Sequence, residues 1–292
     1  MANQQTDQQK IAAMGREITM EAITASQELY LSRHEKEPYQ GVTVDRDIAY
    51  GPHERNRLDI FRPEQAPAAP LPVFIFVHGG GFVRGDKHTP GTPYNDNVPL
   101  WAMRNGMVGV NITYRLAPEF TCPSGAEDVA AAVAWVRSNI ADYGGDRERI
   151  YLCGTSAGAV HVGDYVAFEG IGDPERDIRG ALLLSCMFDP VTGVKNEMLL
   201  SYFGDDPTRY PSQSCLPGLI ETKVPLFVTL GEYEPFDFEN QALIFIQKYM
   251  EKHGRWPNFR RLSGQNHLTT TMHLNAVETE LGREMLRFIA EH

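Results

Sequence analysis

A single serine lies between two glycines in the run Gly154-Thr-Ser-Ala-Gly158, directly after an apolar stretch. Residues 149–153 are predicted to form a buried strand, and residues 157–167 the helix that follows it. Only small neighbours allow the two arms of such a sharp turn to approach each other, which explains the glycines around Ser156. The turn lifts the hydroxyl to the N-terminal end of a helix, where backbone N–H groups favour negative charge. This pattern, a nucleophile elbow, indicates acyl transfer with Ser156 as the nucleophile.

Three consecutive glycines follow a second apolar run upstream. Residues 72–77 are typical of a strand buried on both faces of a parallel sheet, and His78-Gly-Gly-Gly81 comes next. Glycines in series indicate that the backbone approaches another group closely, as in an oxyanion hole, whose N–H donors lie about 2.7–3.1 Å from the developing alkoxide. A flexible loop would also explain them, whereas a phosphate-binding loop would need a different spacing. Together the two motifs favour a hydrolase.

A serine hydroxyl is a weak nucleophile and needs a base that is itself oriented by a carboxylate. In enzymes with this elbow, the order along the chain is serine, acid and histidine, each on a loop after a strand. Among nine histidines, His267 directly follows the last predicted strand, and His273 is the alternative six positions later. His161 lies about one and a half turns along the helix after Ser156 and is expected to point away. The predicted base is His267.

The acid is expected in the loop after the predicted strand 225–230. This loop reads Gly231-Glu-Tyr-Glu-Pro-Phe-Asp237 and contains three carboxylates. Glu234 is the first choice, because the proline after it fixes the loop. Asp237 is the second choice, although we expect it to cap the helix that begins near residue 238. Glu232 is expected to be solvated or paired with the segment 188–222.

The elements that must position these residues follow from the periodicity. Strands and helices alternate from residue 72 onward, which predicts a mostly parallel sheet with right-handed crossovers. Residues 42–50 and 56–62 alternate apolar and polar side chains and predict edge or antiparallel strands. The further predicted strands are 107–112, 181–186 and 259–262, and the further predicted helices are 126–140, 238–253 and 276–290.

Two segments fall outside this alternation. Residues 188–222 have no clean period and contain several tyrosines and prolines, so we interpret them as a small lid, although a surface connection without a role would look the same. Residues 1–37 are predicted to be helical and to lie over the main domain. We therefore predict one α/β domain over residues 1–292, with cap or lid contributions from 1–40 and 188–222.

Composition limits the class of protein. The chain has 292 residues, 42% of them hydrophobic, which is enough for one large core. The formal net charge of −11 disfavours nucleic acid and anionic membranes as partners. The four cysteines lack metal-ligand spacing, and no apolar run resembles a secretion signal or approaches the ~20 residues of a membrane span. We expect a reduced, cytoplasmic protein.

Five motifs together resemble those of the HGGG-containing, hormone-sensitive-lipase-like carboxylesterases of the α/β-hydrolase fold, from residue 58 to the C-terminus. They are His78-Gly-Gly-Gly81, Tyr114-Arg-Leu-Ala-Pro-Glu119, Gly144-Gly-Asp146, Gly154-Thr-Ser-Ala-Gly158 and Gly231-Glu-Tyr-Glu-Pro235. The resemblance implies a central sheet of about eight strands flanked by helices, with Ser156 as nucleophile and His267 as base. It also implies an oxyanion hole formed by the N–H groups of Gly80, Gly81 and Ala157.

The chain departs from this family's pattern at three places. The family usually has aspartate where Glu234 stands, although glutamate serves as the acid in some α/β-hydrolases. Thr155 replaces the usual aspartate of the elbow, and the Gly-Phe pair common after the histidine is missing from residues 266–273. These departures leave the choice of acid and the shape of the acyl pocket open.

The predicted function is that of a serine carboxylesterase that hydrolyses short-chain or aromatic esters through an acyl-enzyme, with neither metal nor organic cofactor. An amidase such as an arylformamidase would use the same residues, and ester against amide stays open at this point. A non-catalytic ligand-binding receptor on the same scaffold is the alternative from another class, but such receptors lose the histidine that is present at position 267. A homodimer is compatible with the sequence.

Overall fold

One sheet of eight strands organises the part of the chain that the structure, a computed structural model, describes, residues 6–292. The first five residues of the predicted N-terminal helical region lie outside the described residues. The strands are β1 (Val42–Ala49), β2 (Arg57–Pro63), β3 (Leu71–Val77), β4 (Val108–Ile112), β5 (Gly145–Thr155), β6 (Gly180–Leu184), β7 (Leu226–Tyr233) and β8 (Phe259–Asn266). Their order is β1-β2-β4-β3-β5-β6-β7-β8, and β2 alone runs antiparallel to its neighbours. The predicted α/β class and mostly parallel sheet are confirmed.

Helices flank the sheet over the same residues. They are α1 (Asp7–Met14), α2 (Met20–Leu31), α3 (Asn97–Arg104), α4 (Ser124–Asn139), α5 (Ala157–Ala167), α6 (Pro174–Asp177), α7 (Glu197–Phe203), α8 (Leu216–Glu221), α9 (Phe236–His253), α10 (Thr269–Met272) and α11 (Glu280–Glu291). Two short 3₁₀ turns, Ile140–Tyr143 and Tyr210–Gln213, complete the set.

Three predicted boundaries were wrong by four residues, and one of them is the start of β5, at Gly145 rather than 149. Helix α11 begins at Glu280 rather than 276, because the Thr279 side chain accepts a hydrogen bond from the Gly282 N–H (2.9 Å) and caps the helix there. Strand β8 continues to Asn266 rather than ending at 262, because its pairing with β7 resumes beyond an irregularity and ends with Tyr233 opposite Asn266. The boundaries of α11 and β8 depend on contacts that hydrophobic periodicity does not report.

The core has two layers because β3 is apolar on both faces. Val73, Ile75 and Val77 pack in a cluster with residues of α4 and α5, whereas Phe74 and Phe76 pack in a second cluster with residues of α3 and α11. Side chains alternate between faces along a strand, so a continuous apolar run supplies both layers. The predicted burial of residues 72–77 is therefore explained by the sandwich of helices around the sheet.

The segment 188–222 contains α7, the second 3₁₀ turn and α8, and Tyr202 anchors it. The buried Tyr202 hydroxyl accepts a hydrogen bond from the Gly125 N–H (3.3 Å), and its carbonyl accepts one from the Cys122 N–H (3.0 Å). Its ring also stacks on Phe82, with the ring centroids 4.5 Å apart. The segment thus packs against the loop after β3, and its function as a lid remains a prediction.

The N-terminal helices pack against the end of the sheet that carries β8. The Arg16 guanidinium, between α1 and α2, donates to the backbone carbonyl of Glu234 (3.0 Å) and pairs with Glu239 (2.8 Å). His34, after α2, hydrogen-bonds the carbonyl of Met272 (2.8 Å). These contacts tie the N-terminal region to the loops that follow β7 and β8.

Within residues 6–292, none of the helices combines the length and the hydropathy that crossing a bilayer requires. All four cysteines are buried free thiols. Cys153 lies in β5, and Cys186 lies two residues beyond the end of β6.

Candidate active site

Ser156 occupies the tight turn between β5 and α5. Its backbone has φ 54° and ψ −122°, a conformation that a residue with a Cβ rarely adopts. A Cβ built on Gly154 would lie 2.3 Å from the carbonyl oxygen of Gly158, so any side chain at 154 would force the two arms of the turn apart. The glycines around Ser156 are therefore a steric requirement of the turn, as the sequence predicted.

Three loops at one edge of the sheet meet at Ser156. His267 directly follows β8 and Glu234 directly follows β7, so both reach the edge at which β5 ends. The distance from His267 Nε2 to Ser156 Oγ is 2.9 Å, and the distance from His267 Nδ1 to Glu234 Oε2 is 2.6 Å. With the Nδ1–H group donating a hydrogen bond to the carboxylate, Nε2 carries no proton and is left as an acceptor facing the serine hydroxyl.

Glu234 is fully buried, and both carboxylate oxygens have partners. Oε1 accepts hydrogen bonds from the Ser185 hydroxyl and from the Gly231 N–H (3.1 Å), while Oε2 faces His267. Burial acts to raise the pKa of Glu234. The charge of His267, with hydrogen bonds from His267, Ser185 and Gly231, outweighs burial and holds the pKa below its ordinary value. The carboxylate therefore stays ionised beside the imidazole.

The other two carboxylates of the loop point elsewhere. Asp237 Oδ2 accepts a hydrogen bond from the Val194 N–H (3.1 Å), and burial raises the pKa of this carboxyl. The predicted helix cap at Asp237 was wrong, because α9 begins at Phe236 and its N-cap residue is Pro235. The predicted pairing of Glu232 with the segment 188–222 was also wrong, whereas its side chain is partly exposed, as the alternative of solvation expected. Glu232 instead accepts a hydrogen bond from the Gly264 N–H (2.7 Å) on β8.

Two other histidines considered from the sequence lie apart from the serine. His273, the alternative base, caps the C-terminal end of α10 and does not enter the last helix. Its Nδ1 donates to the carbonyl of Thr269 (2.6 Å), and burial lowers its pKa to about 4. His161 is buried on α5 against the ring of Tyr114, with centroids 4.4 Å apart. Of these three histidines, the structure brings His267 to Ser156.

The glycine loop after β3 runs beside the serine. A Cβ built on Gly79 would lie 3.2 Å from the Cβ of Ser156, which measures how closely the two chains approach. Gly80 and Gly81 have φ of 136° and 61°, values that favour glycine. The start of the loop is held by Tyr114, whose hydroxyl donates to the carbonyl of His78 (2.9 Å). Because Gly80 and Gly81 have no side chains of their own, no Cβ in either residue blocks the approach to its backbone N–H group.

Comparisons with known proteins agree with this architecture. The BD-FAE family matches residues 58–171. The chain is 30% identical over 241 residues to the esterase LipQ of Mycobacterium tuberculosis (strain ATCC 25618 / H37Rv), an alignment that covers 76% of this chain and 56% of LipQ. It is 37% identical over 113 residues to the esterase LipC of the same organism, covering 39% of this chain and 27% of LipC. The chain thus spans about half or less of the length of these curated relatives.

Solved structures show the same fold. Esterase B from Lactobacillus rhamnosis (HN001) superposes with a TM-score of 0.73 at 18% identity, covering 96% of this chain and 95% of that chain. The Pyrobaculum calidifontis esterase superposes with a TM-score of 0.65 at 21% identity, covering 92% of this chain and 87% of that chain. The chain is thus similar in sequence to curated esterases and shares the α/β-hydrolase fold of the solved ones, in agreement with its resemblance to the hormone-sensitive-lipase-like carboxylesterases.

Sequence reasoning missed three residues around the candidate site. Ser185 hydrogen-bonds Glu234, Phe238 packs its ring 4.4 Å (centroid to centroid) from the imidazole of His267, and the side chain of Met198 covers Gly81. A small polar residue near the end of a predicted strand was the available signal for Ser185. Phe238 and Met198 come from segments whose placement depends on the whole fold.

One cluster among residues 6–292 has the donor types of a metal site. Glu37, His88 and Asp96 lie close enough together to share an ion. The guanidinium of Arg46, however, pairs with the carboxylates of Glu37 (3.1 Å) and Asp96. Because a fixed cation already neutralises these carboxylates, the cluster is explained as an ion-pair network and does not fit a metal.

Proposed function

We propose that the chain is a serine carboxylesterase that hydrolyses short-chain or aromatic carboxylic esters through an acyl-enzyme. The observation that carries the proposal is the unbroken relay from Ser156 Oγ to His267 Nε2 (2.9 Å) and from His267 Nδ1 to Glu234 Oε2 (2.6 Å). Such a relay lets the imidazole remove the hydroxyl proton while a fixed carboxylate stabilises the imidazolium. The curated relatives and the solved structures named above are esterases.

In the first half of the proposed reaction, His267 takes the proton of Ser156 as the oxygen attacks the ester carbonyl. Glu234 keeps the imidazole in the tautomer that can accept this proton. The N–H groups of Gly80, Gly81 and Ala157 stabilise the oxyanion, a contribution of about 2.7–4 kcal/mol per donor in related acyl transfer. His267 then gives the proton to the leaving alcohol, and an acyl-enzyme remains on Ser156.

In the second half, water enters where the alcohol has left. His267 removes a proton from the water as it attacks the acyl carbonyl, and the same N–H groups stabilise the second oxyanion. The proton returns from His267 to the Ser156 oxygen, which releases the carboxylic acid. Every proton in this cycle moves through His267.

The surroundings of the serine support apolar substrates of limited size. The leaving alcohol must lie within reach of His267 Nε2, and Phe238 packs beside that imidazole. Met198 covers Gly81 of the glycine loop, where a Cβ built on the glycine would lie only 2.2 Å from the methionine sulfur. These apolar side chains, beside the base and the glycine loop, support the proposed preference for short or flat acyl groups. The single domain with cap segments, the cytoplasmic location and the possible homodimer remain predictions.

The experiment is a series of p-nitrophenyl esters from acetate to laurate, measured with the wild type and with Ser156→Ala. We expect turnover that is highest for the short esters, and a loss of at least about 10⁴-fold in kcat in the variant. A matched ester and anilide pair separates esterase from amidase chemistry, with the ester expected to react faster. Normal turnover by Ser156→Ala, or tight ligand binding without labelling of Ser156 by a fluorophosphonate, would contradict the proposal.

A further inference from the structure

Ser185 directly follows β6, the strand between the one that leads to Ser156 and the one that leads to Glu234. Its position is fixed by the sheet on both sides. The Ser156 N–H donates to the carbonyl of Leu184 (2.9 Å), and the Ser185 N–H donates to the carbonyl of Thr229 (3.0 Å). Ser156, Ser185 and Glu234 therefore follow three neighbouring strands, β5, β6 and β7, and lie at the same end of the sheet.

The backbone of Ser185 is in an unfavourable conformation. Its φ of 51° lies in the left-handed region, and the residue is fully buried. Glycine adopts this conformation without steric conflict, whereas a residue with a Cβ does so at a cost. A serine at such a turn gains something from its side chain that glycine cannot supply.

The hydroxyl of Ser185 donates to Oε1 of Glu234, the oxygen that does not face His267. The Gly231 N–H donates to the same oxygen (3.1 Å), so two donors hold Oε1 while Oε2 stays with the imidazole. A buried carboxylate needs hydrogen-bond partners on both oxygens. Because the partners of Oε1 differ from the partner of Oε2, they also fix the rotation of the carboxylate. Glutamate needs this more than aspartate, because it has one more rotatable bond between backbone and carboxylate.

We propose that Ser185 is a positioning residue that aims the carboxylate of Glu234 at Nδ1 of His267. Its consequence for turnover rests on the proposed esterase function, whereas its consequence for the His267–Glu234 hydrogen bond does not. Without the hydroxyl, the Gly231 N–H alone holds Oε1, and the carboxylate is free to rotate away from the imidazole.

The test compares Ser185→Ala with Ser185→Gly. Both remove the hydroxyl, but only glycine relieves the positive φ, so the pair separates the hydrogen bond from the backbone strain. We expect both variants to lose about 10- to 100-fold in kcat on a short p-nitrophenyl ester, with KM changed less than about twofold. Both should also weaken or shift the far-downfield proton NMR resonance of the His267 Nδ1–H. Ser185→Gly also provides the measurement if the alanine variant does not fold.

Thr229→Val is the matched control. Thr229 is buried on the adjacent strand β7, and its hydroxyl has no hydrogen-bond partner among residues 6–292. Loss of the Thr229 hydroxyl should leave kcat and the Nδ1–H resonance unchanged. This result would show that removing a buried hydroxyl from this part of the sheet does not by itself lower kcat or shift the resonance.

Two results would overturn the proposal. If Ser185→Gly keeps wild-type kcat and the wild-type resonance while Ser185→Ala loses them, the alanine effect is backbone strain and the residue only serves the turn. If both variants keep the wild-type values, the hydroxyl has no role. If the wild type hydrolyses none of the esters, the esterase function fails, and the Nδ1–H resonance in the two variants still decides whether Ser185 positions Glu234.

Discussion

Gly158 packs directly against the end of β3, so that a Cβ built at this position would lie 2.2 Å from the carbonyl oxygen of Val77 and 2.5 Å from that of His78. The helix that begins after Ser156 is thereby pressed against the strand that leads into the glycine loop. This contact sets the separation between the serine and the backbone N–H groups of that loop.

Gly158→Ala is expected to destabilise the protein, because the new methyl group meets backbone atoms that cannot move independently of the sheet. We expect a loss of about 1–3 kcal/mol in the free energy of unfolding, together with lower activity. Chemical denaturation measures the first and turnover of a short ester the second. Gly163→Ala on the same helix is the control, since its Cβ would meet mainly the Cys215 sulfur at 3.1 Å. Equal midpoints for wild type and Gly158→Ala would contradict the expectation.

Glu234→Gln is expected to lower kcat by roughly 10³- to 10⁴-fold with little change in KM, because an amide cannot stabilise the imidazolium or hold its tautomer. Steady-state kinetics on p-nitrophenyl acetate measures the effect. Asp237→Asn is the control, because Asp237 accepts its hydrogen bond from the Val194 N–H, a role that an asparagine oxygen can keep. The reverse pattern, with Asp237→Asn inactive and Glu234→Gln active, would make Asp237 the acid.

Met198→Ala is expected to shift the preference toward longer acyl chains, because it removes the side chain that covers Gly81. We expect the ratio of kcat/KM for a long ester to that for acetate to rise about tenfold. The ester series described above provides the measurement. Leu200→Ala is the control, since Leu200 lies two positions further along α7, about 200° around the helix, and has the same exposure, 37%. A parallel shift in both variants would indicate a general loosening of α7.

Asp164→Asn is expected to stabilise the protein increasingly as pH rises. Burial raises the pKa of Asp164 well above its ordinary value, and neither carboxyl oxygen has a hydrogen-bond partner among residues 6–292. The folded state thus holds a proton that the unfolded state releases above about pH 4. Above that pH, Asp164 lowers the free energy of unfolding of the wild type by about 1.4 kcal/mol per pH unit, until the carboxyl ionises in the folded state as well.

Asparagine carries no charge in either state, so the variant lacks that contribution. The difference in the free energy of unfolding between Asp164→Asn and wild type should therefore grow as pH rises above about 4, until the folded carboxyl ionises. Denaturant titrations at several pH values measure it. A difference that does not change with pH above about 4 would mean that the buried carboxyl is ionised in the folded protein.

Much of the fold could be predicted because the chain obeys local rules. The run at 72–77 predicts a strand buried on both faces, and β3 is found there. Helix α5 has the predicted bounds 157–167 because a sharp turn and two glycines define its start. Three boundaries were predicted less well: the start of β5, the start of α11, which a side-chain cap decides, and the end of β8, which pairing with a distant strand decides.

The residues of the candidate site also fall into a group that local sequence predicts and a group that it does not. Ser156 and the glycine loop could be recognised from sequence, since close backbone approach selects glycine at particular neighbouring positions and leaves a local signature. The loop 231–237 contains three carboxylates, and local grounds placed Glu234 first and Asp237 second without deciding between them. Side-chain direction at the end of a strand depends on register with its neighbours, so the sequence could rank them but not separate them.

The amino-acid sequence by itself determined the order of elements, the turn around Ser156, the glycine loop and the candidate base, because each depends on residues adjacent in the chain. Only the tertiary structure decided that Glu234 rather than Asp237 meets His267, that Ser185 holds the second carboxylate oxygen, and that Met198 covers the glycine loop. Those contacts join residues from 33 to 117 positions apart. They exist because parallel strands bring their carboxyl ends to one edge of the sheet.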